Sequence, residues 1–139
     1  IALMFTASFP VSADMKHQMD TLETKIDGFD VSLDIMTHKD YQKMMKVMKM
    51  EPMKPASGTT HHIALTIRKD GSKMEDAAVA IKVTGPDGKE ESKTMSYNQD
   101  MMYQFTGHFN MPKKGKYQLA ISFKVGTETH QGLVYYEVK

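Results

Sequence analysis

The stretch Thr59-Thr-His-His-Ile-Ala-Leu-Thr-Ile-Arg68 decides the fold of this chain. Every second residue from Ile63 to Ile67 is a large aliphatic, which is the pattern of a β-strand with a buried face. Two adjacent histidines, His61 and His62, stand at the start of this strand. Because successive side chains of a strand point to opposite faces, only one of the two histidines can face any given site.

The same alternation recurs along the rest of the chain. About seven alternating segments between Phe29 and Val138 are separated by turn residues at the spacing of a sandwich protein. The tetrapeptide Gly85-Pro-Asp-Gly88 illustrates these turns, since proline presets φ and glycine tolerates positive φ. The pattern predicts an all-β fold, an antiparallel immunoglobulin-like β-sandwich. A length of 139 residues suits one domain, which we place at residues 14–139.

The beginning of the sequence reads as the end of a secretory signal. Residues 1–13 carry no charge, and Val11-Ser-Ala13 places small residues where a signal peptidase cleaves. The alternatives are an N-terminal strand and a membrane anchor. The apolar run is too short for an anchor that spans a bilayer. Residues 14–25 fit a short amphipathic turn or a flexible leader.

The amino-acid composition and the motifs argue against several classes of function. The 18 basic and 17 acidic residues are interspersed and give a net charge of +1, so we expect no nucleic acid partner. The chain has no cysteine, which excludes disulfides and thiolate sites. Neither a nucleophile motif nor a phosphate-binding glycine loop is present, and no two carboxylates stand out as an acid–base pair. We therefore expect a protein that is not an enzyme.

Methionine is the unusual residue, with 14 in the chain. Many of them fall in a Met- and Lys-rich insertion at residues 36–58, placed after the first predicted strand. A short helix there would carry four residues on one face: Tyr41, Met44, Met45 and Met48. The close spacing of Met45, Met48 and Met50 is typical of weak, exchangeable Cu(I) carriers. A flexible apolar pad, or a sticky surface for a partner protein, explains the same residues equally well.

Histidines and further methionines on other strands form a candidate metal site. Its candidates are His61, His62, Met101, Met102, His108, Met111 and His130. Thioethers bind Zn²⁺, Mg²⁺ and Ca²⁺ poorly but suit Cu(I), so a mixed His and Met site points to copper. We interpret His17 and His38 as solvated side chains.

Strand parity places these candidates on faces. His62 shares a face with Ala64, while His108 shares the outer face of its strand with Met102. Six residues separate Met102 from His108, roughly 20 Å along a straight strand. A bulge or bend, for which Gly107 is a plausible agent, would be needed to bring them together.

Several segments resemble known families. The region from Ile63 to Val138 resembles the exported immunoglobulin-like domains called YtkA-like or FixH-like. The matching segments are Thr84-Gly-Pro-Asp-Gly88, Gly107-His-Phe109 and Lys114-Gly-Lys-Tyr117. The run from Met101 to Phe109 is also similar to the copper-site segment of periplasmic proteins from bacterial iron-transport systems. That resemblance implies three copper ligands: Met101 or Met102, His108, and His61 or His62.

These observations lead to two functional hypotheses. The first is a periplasmic or extracellular copper-binding protein that acts as carrier, buffer or resistance factor. Its ion, Cu(I) by preference, would be held by the histidine and methionine candidates, with His130 in support. The second is an exported interaction module without metal, which binds a partner protein or assembles on the cell envelope. Neither hypothesis requires stable membrane insertion, and another envelope protein is a conceivable partner of either.

Overall fold

The computed structural model describes residues 19–52, 54–98 and 103–139. Within these ranges the chain forms nine strands and one helix. The elements are β1 (Asp20–Ile26), β2 (Phe29–Thr37), α1 (His38–Val47), β3 (His61–Lys69), β4 (Ser72–Lys73), β5 (Ala78–Thr84), β6 (Glu90–Asn98), β7 (Gln104–Phe109), β8 (Gly115–Val125) and β9 (Glu128–Val138). The predicted all-β fold is confirmed. The proposed signal segment and the candidate ligands Met101 and Met102 lie outside the described residues.

The strands form two antiparallel layers that nearly close into a barrel. Their order is β1-β2-β3-β7-β6-β5-β8-β9, with β4 paired to β3. Strand β6 joins the layers, since it pairs with β5 up to Met95 and with β7 from Ser96 onward. The outer strands β1 and β9 also meet, where the Tyr136 hydroxyl donates a hydrogen bond of 2.9 Å to Asp20. Strand β3, which carries His61 and His62, thus lies inside the first layer, between β2 and β7.

Two strands were not predicted from the sequence. Strand β1 replaces the amphipathic turn or flexible leader, so that prediction was wrong for residues 20–25. Only Ile26 of this strand is fully buried, and a single buried position gives almost no alternating signal. The Met- and Lys-rich insertion therefore follows the second strand and not the first. Strand β4 is only two residues long.

The principal core lies between the two layers. It is built of aliphatic and aromatic side chains from the inward positions of the strands. Its largest fully buried members are Leu33, Ile35, Ile63, Leu65, Ile67, Ile81, Phe105, Phe109, Met111, Leu119 and Phe123. Strict alternation along β2, β3 and β8 places these residues on the same side of the sheet.

Gly107 does not bend its strand, contrary to the expectation from the sequence. It lies in regular register opposite Ile63. A Cβ atom at this position would stand 2.7 Å from the sulfur of Met95, closer than such atoms approach in proteins. The missing side chain therefore makes room for Met95 in the core.

Among the described residues, the helix does not have the length and apolar character that crossing a membrane requires.

Candidate metal centre

Helix α1 covers the outer face of β3. Its first turn is capped by the Thr37 side chain, which accepts a hydrogen bond of 3.1 Å from the Asp40 amide. The predicted helix and its apolar face are confirmed. Tyr41 and Met45 are buried against Met36 of β2 and form a small apolar cluster separate from the principal core. The outer side of β3 is therefore as thoroughly covered as its inner side.

A Schellman turn ends this helix and folds the chain back. The Lys49 amide donates to the Lys46 carbonyl at 3.1 Å, and the Met50 amide donates to the Met45 carbonyl at 2.9 Å. Lys49 occupies the left-handed region with φ of 56°, a position where glycine is usual. This turn returns Met50 to the small cluster beneath the helix, where it packs with Met45.

Strand pairing brings two of the predicted histidines together. His62 of β3 is paired with His108 of β7, and their ring centroids are 5.4 Å apart. Tyr41 also stacks on His62, with a centroid separation of 4.3 Å. Only 3% of His62 is exposed to solvent. The two imidazoles thus form a cross-strand pair whose inner member is closed over by the helix.

His62 is the most unusual residue of the site. Both of its ring nitrogens are buried and have no hydrogen-bond partner among the described residues. Burial, followed by the neighbouring charges of His108 and His38, lowers the pKa of His62 to about 4. An unsatisfied buried polar group costs roughly 1–3 kcal/mol. The ring is therefore neutral at pH 7 and has a free electron pair in a sheltered position.

His38 joins this histidine pair, although the sequence suggested a solvated side chain. Its ring centroid lies 5.0 Å from that of His108. Its Nε2 shares a hydrogen bond of 2.7 Å with the Thr59 hydroxyl, while its Nδ1 is buried without a partner among the described residues. Desolvation and the charge of Lys93 lower the pKa of His38. His38 is the first residue of α1. The alternation of residues along the strands therefore could not predict its position.

His108 is already engaged through one nitrogen. The Ala56 amide donates a hydrogen bond of 3.1 Å to its Nδ1. A neutral imidazole has a single acceptor nitrogen, so this bond occupies the electron pair that a metal would need. Desolvation, His38 and Lys93 lower the pKa of His108, so the ring is neutral at pH 7. Metal ligation by His108 therefore requires release of the Ala56 amide.

The structure does not bring His61 and His130 to the pair. His61 lies on the opposite face of β3 with its Nδ1 2.7 Å from the Thr60 hydroxyl. His130 lies next to Phe29 at the start of β2, while His62 pairs with the end of that strand. The two sites are therefore more than about 20 Å apart along β2. Met111, the remaining candidate, is enclosed in the principal core.

His130 also has partners of its own. Its Nδ1 lies 2.8 Å from a carboxylate oxygen of Asp27, and its ring packs near those of Phe29 and Phe123. Its Nε2 is buried without a hydrogen-bond partner among the described residues and lies 3.6 Å from a carboxylate oxygen of Glu128, so carboxylates and aromatic rings surround this histidine.

A cavity of about 220 Å³ lies between α1 and the outer face of the sheet. We call it the methionine cavity, because six of the 14 methionines line it. These are Met19, Met36, Met44, Met45, Met48 and Met50. The three methionines predicted as ligands, Met45, Met48 and Met50, are all among them. His62 forms part of the wall, together with Tyr41, Asp34 and Gln104.

Asp34 is the charged group of this wall, and both of its carboxylate oxygens accept hydrogen bonds. Thr21 donates its hydroxyl to one oxygen at 2.8 Å, and the Gln104 amide donates to the other at 3.1 Å. Within the described residues, no group of three or more His, Asp or Glu side chains is arranged to hold a metal ion. The donors around His62 are instead a second imidazole and several thioethers, a set that suits Cu(I).

Comparison with solved structures shows a shared fold. The chain is similar to FetP of uropathogenic Escherichia coli strain F11, with a TM-score of 0.64 and 8% identity over 88% of this chain and 97% of FetP. It is also similar to a DUF4426 family protein of Pseudomonas aeruginosa PAO1, with a TM-score of 0.61 and 13% identity over 85% and 94% of the two chains. At these identities the likeness is one of fold alone.

Sequence comparisons add no family. No protein-family model matches the chain, and no curated protein sequence matches it. The YtkA-like or FixH-like resemblance and the similarity to copper-site segments therefore stay predictions.

Proposed function

We propose that this protein is an extracytoplasmic copper-binding protein that acts as a carrier, buffer or resistance factor. The observation that carries the proposal is the state of His62. Its imidazole is neutral, almost completely buried and without a hydrogen-bond partner among the described residues, and it lies near a second imidazole and a cluster of thioethers. Buried polar groups are normally hydrogen-bonded, and such an exception calls for a ligand or a function.

The spacing of His62 and His108 suits one shared ion. Two imidazoles bound to a metal through bonds of about 2 Å have their ring centroids about 5–6 Å apart. The observed separation is 5.4 Å. Because the pKa of His62 is about 4, protons do not compete with a metal for this nitrogen at neutral pH.

Thioether sulfur would complete the coordination. Met101 and Met102, from the segment before β7, remain its predicted thioether ligands. Neutral imidazole and thioether donors together favour Cu(I) over Zn²⁺, Mg²⁺ and Ca²⁺. Copper is therefore the metal that this donor set fits best.

The proposed location outside the cytoplasm has two supports. Residues 1–13 have the composition of the end of a secretory signal. FetP, which shares the fold, was produced in the periplasm of its expression host.

Anaerobic Cu(I) titration against a chromophoric chelator tests the proposal. We expect one tightly bound Cu(I), with affinity lowered at least about 100-fold in His62→Ala and in His108→Ala. His130→Gln is the matched control and should bind as the wild type does, because His130 is held by Asp27 far from the pair. Unchanged affinity in both alanine variants, with circular dichroism showing an intact fold, would overturn the assignment.

The alternative is an exported interaction module without metal. Leu133 and Tyr135 favour it, because both are about half exposed on β9 and Leu133 borders a shallow groove of about 580 Å³ on the other layer. Thermal unfolding with and without Cu(I) separates the two functions. A ligand selective for the native state must raise the midpoint, so an unshifted midpoint favours the interaction module.

A further inference from the structure

We propose that the methionine cavity is a second copper position, which holds Cu(I) through two or three thioether sulfurs and is distinct from the His62–His108 pair. The proposal rests on the proposed function for the identity of the metal. The geometry of the cavity supports the site itself.

Local structure makes several sulfurs converge on one space. Met44 and Met48 are four residues apart in sequence, so they lie on the same side of the helix. The Schellman turn returns Met50 to this side, and Met36 approaches from β2. Three separate elements, namely the helix, the turn after it and a strand, therefore supply thioethers to the same cavity.

The cavity is not filled by these side chains. Protein interiors are close-packed, and an apolar pad would normally close the space between its members. Met95 and Met111 show this behaviour in the principal core, where both are buried among other side chains. Under the helix, about 220 Å³ remains between flexible side chains that can move toward an ion.

The charge of the wall suits a monovalent cation. Asp34 borders the cavity, and its two oxygens accept hydrogen bonds from Thr21 and Gln104. The carboxylate can thus balance a single positive charge while its oxygens stay engaged. Hard divalent cations need several free oxygen ligands, whereas Cu(I) is satisfied by sulfur. The cavity therefore selects Cu(I).

The arrangement also gives the ion a route. Met19 and Met48 line the cavity and are 39% and 38% exposed, while His62, which also lines it, is only 3% exposed. An ion that arrives from solvent meets exposed thioethers first and the imidazole of His62 last. The weaker sulfur position lies on the path to the tighter histidine position.

Titration with Ag(I), a redox-inert probe for Cu(I), tests the second position. The wild type should bind two equivalents, one tight and one weaker. The variant Met44→Leu/Met48→Leu/Met50→Leu should lose the weaker equivalent and keep the tight one, because leucine nearly preserves volume but lacks sulfur. Met95→Leu is the matched control for a buried methionine away from the cavity, and it should keep both equivalents.

Methyl resonances of ¹³C-labelled methionine provide a readout that needs no variant. The signals of Met44, Met48 and Met50 should shift as the second equivalent of Ag(I) is added, while those of Met95 and Met111 stay in place. If these three signals do not move and the triple variant keeps two equivalents, the second position does not exist.

The outcomes separate this inference from the proposed function. Loss of the tight equivalent in His62→Ala, with a triple variant that still binds two, overturns the second position and leaves the proposed function standing. Loss of both equivalents in the triple variant shows a single mixed site and also overturns the second position. Loss of the weaker equivalent alone, with His62→Ala keeping the tight one, supports the cavity and contradicts the histidine centre.

Discussion

The two sides of strand β3 are both buried but are built in different ways. The inner side presents Ile63, Leu65 and Ile67 to a core of aliphatic and aromatic residues. The outer side presents His62 to a helix, to thioethers and to an unfilled cavity. Among the residues that the structure describes, the inner side satisfies the rules of packing, whereas the outer side leaves polar nitrogens unpaired and space open. Departures of this kind are expected where a protein has a functional site.

The largest expected effect belongs to the inner side. Met111→Ala should lower the free energy of unfolding by about 2–5 kcal/mol, because it removes a buried side chain from a closed core. Met45→Ala on the outer side should cost less than Met111→Ala, because the space beside Met45 is already open. Urea denaturation measures both variants. Equal losses would mean that the outer side is packed like the core and would remove the contrast.

The second-largest expected effect is a loss of folding stability at acidic pH, caused by His62. Its pKa is about 4 in the folded protein and 6.5 in an unperturbed chain. Between these values the unfolded state binds more protons, so the free energy of unfolding falls as pH drops from 6.5 toward 4, by about 3 kcal/mol in total for this residue.

His62→Phe should remove that share of the pH dependence, since phenylalanine can stack on Tyr41 but cannot take a proton. Metal-free protein unfolded in urea at pH 7 and at pH 4.5 gives the comparison. Burial lowers the pKa of His38, His61 and His108 as well. The free energy of unfolding of the variant should therefore still fall as the pH drops, but less steeply than that of the wild type. A slope identical to that of the wild type would contradict the burial of a neutral His62.

Copper loading should loosen the segment that follows the helix. Ligation of His108 through Nδ1 breaks the hydrogen bond that this nitrogen accepts from the Ala56 amide. Such a bond contributes about 1 kcal/mol, so hydrogen exchange of the Ala56 amide should become roughly five- to tenfold faster when Cu(I) is bound. Exchange at Lys113, whose amide donates to the Tyr117 hydroxyl elsewhere in the fold, should not change. Slower exchange at Ala56 on loading would show that His108 keeps its partner.

The smallest effect concerns the turn that completes the methionine cavity. Lys49→Gly should stabilise the protein by about 1 kcal/mol, because glycine adopts the left-handed conformation of this position without steric cost. Lys43→Gly, in the exposed interior of the same helix, should destabilise by a similar amount. Thermal unfolding of the two variants should therefore shift in opposite directions. Shifts of the same sign would contradict the Schellman turn.

Much of the fold follows from local patterns. Strict alternation predicts β2, β3 and β8, and parity correctly separates His61 from His62. Strand β1 was missed because the layer covers only one of its residues fully. The apolar face of the helix was predicted, because its spacing is a property of the sequence alone.

The site depends on information that the sequence does not contain locally. His62 meets His108 only through the register between β3 and β7, because the two histidines are 46 residues apart in the sequence. His38 reaches the pair because α1 starts directly at the end of β2. The return of Met50 depends on a lysine in a conformation that usually signals glycine. These contacts are set by the tertiary fold, so the hydrophobic periodicity of the sequence does not predict them.

X-ray absorption spectroscopy of protein loaded with one equivalent of Cu(I) tests the central claim most directly. We expect both nitrogen and sulfur scatterers around copper in the wild type, and a nitrogen component that falls in His62→Ala and in His108→Ala but not in His130→Gln. A spectrum with nitrogen and oxygen scatterers alone, or one that neither alanine variant changes, would contradict a copper centre built on His62.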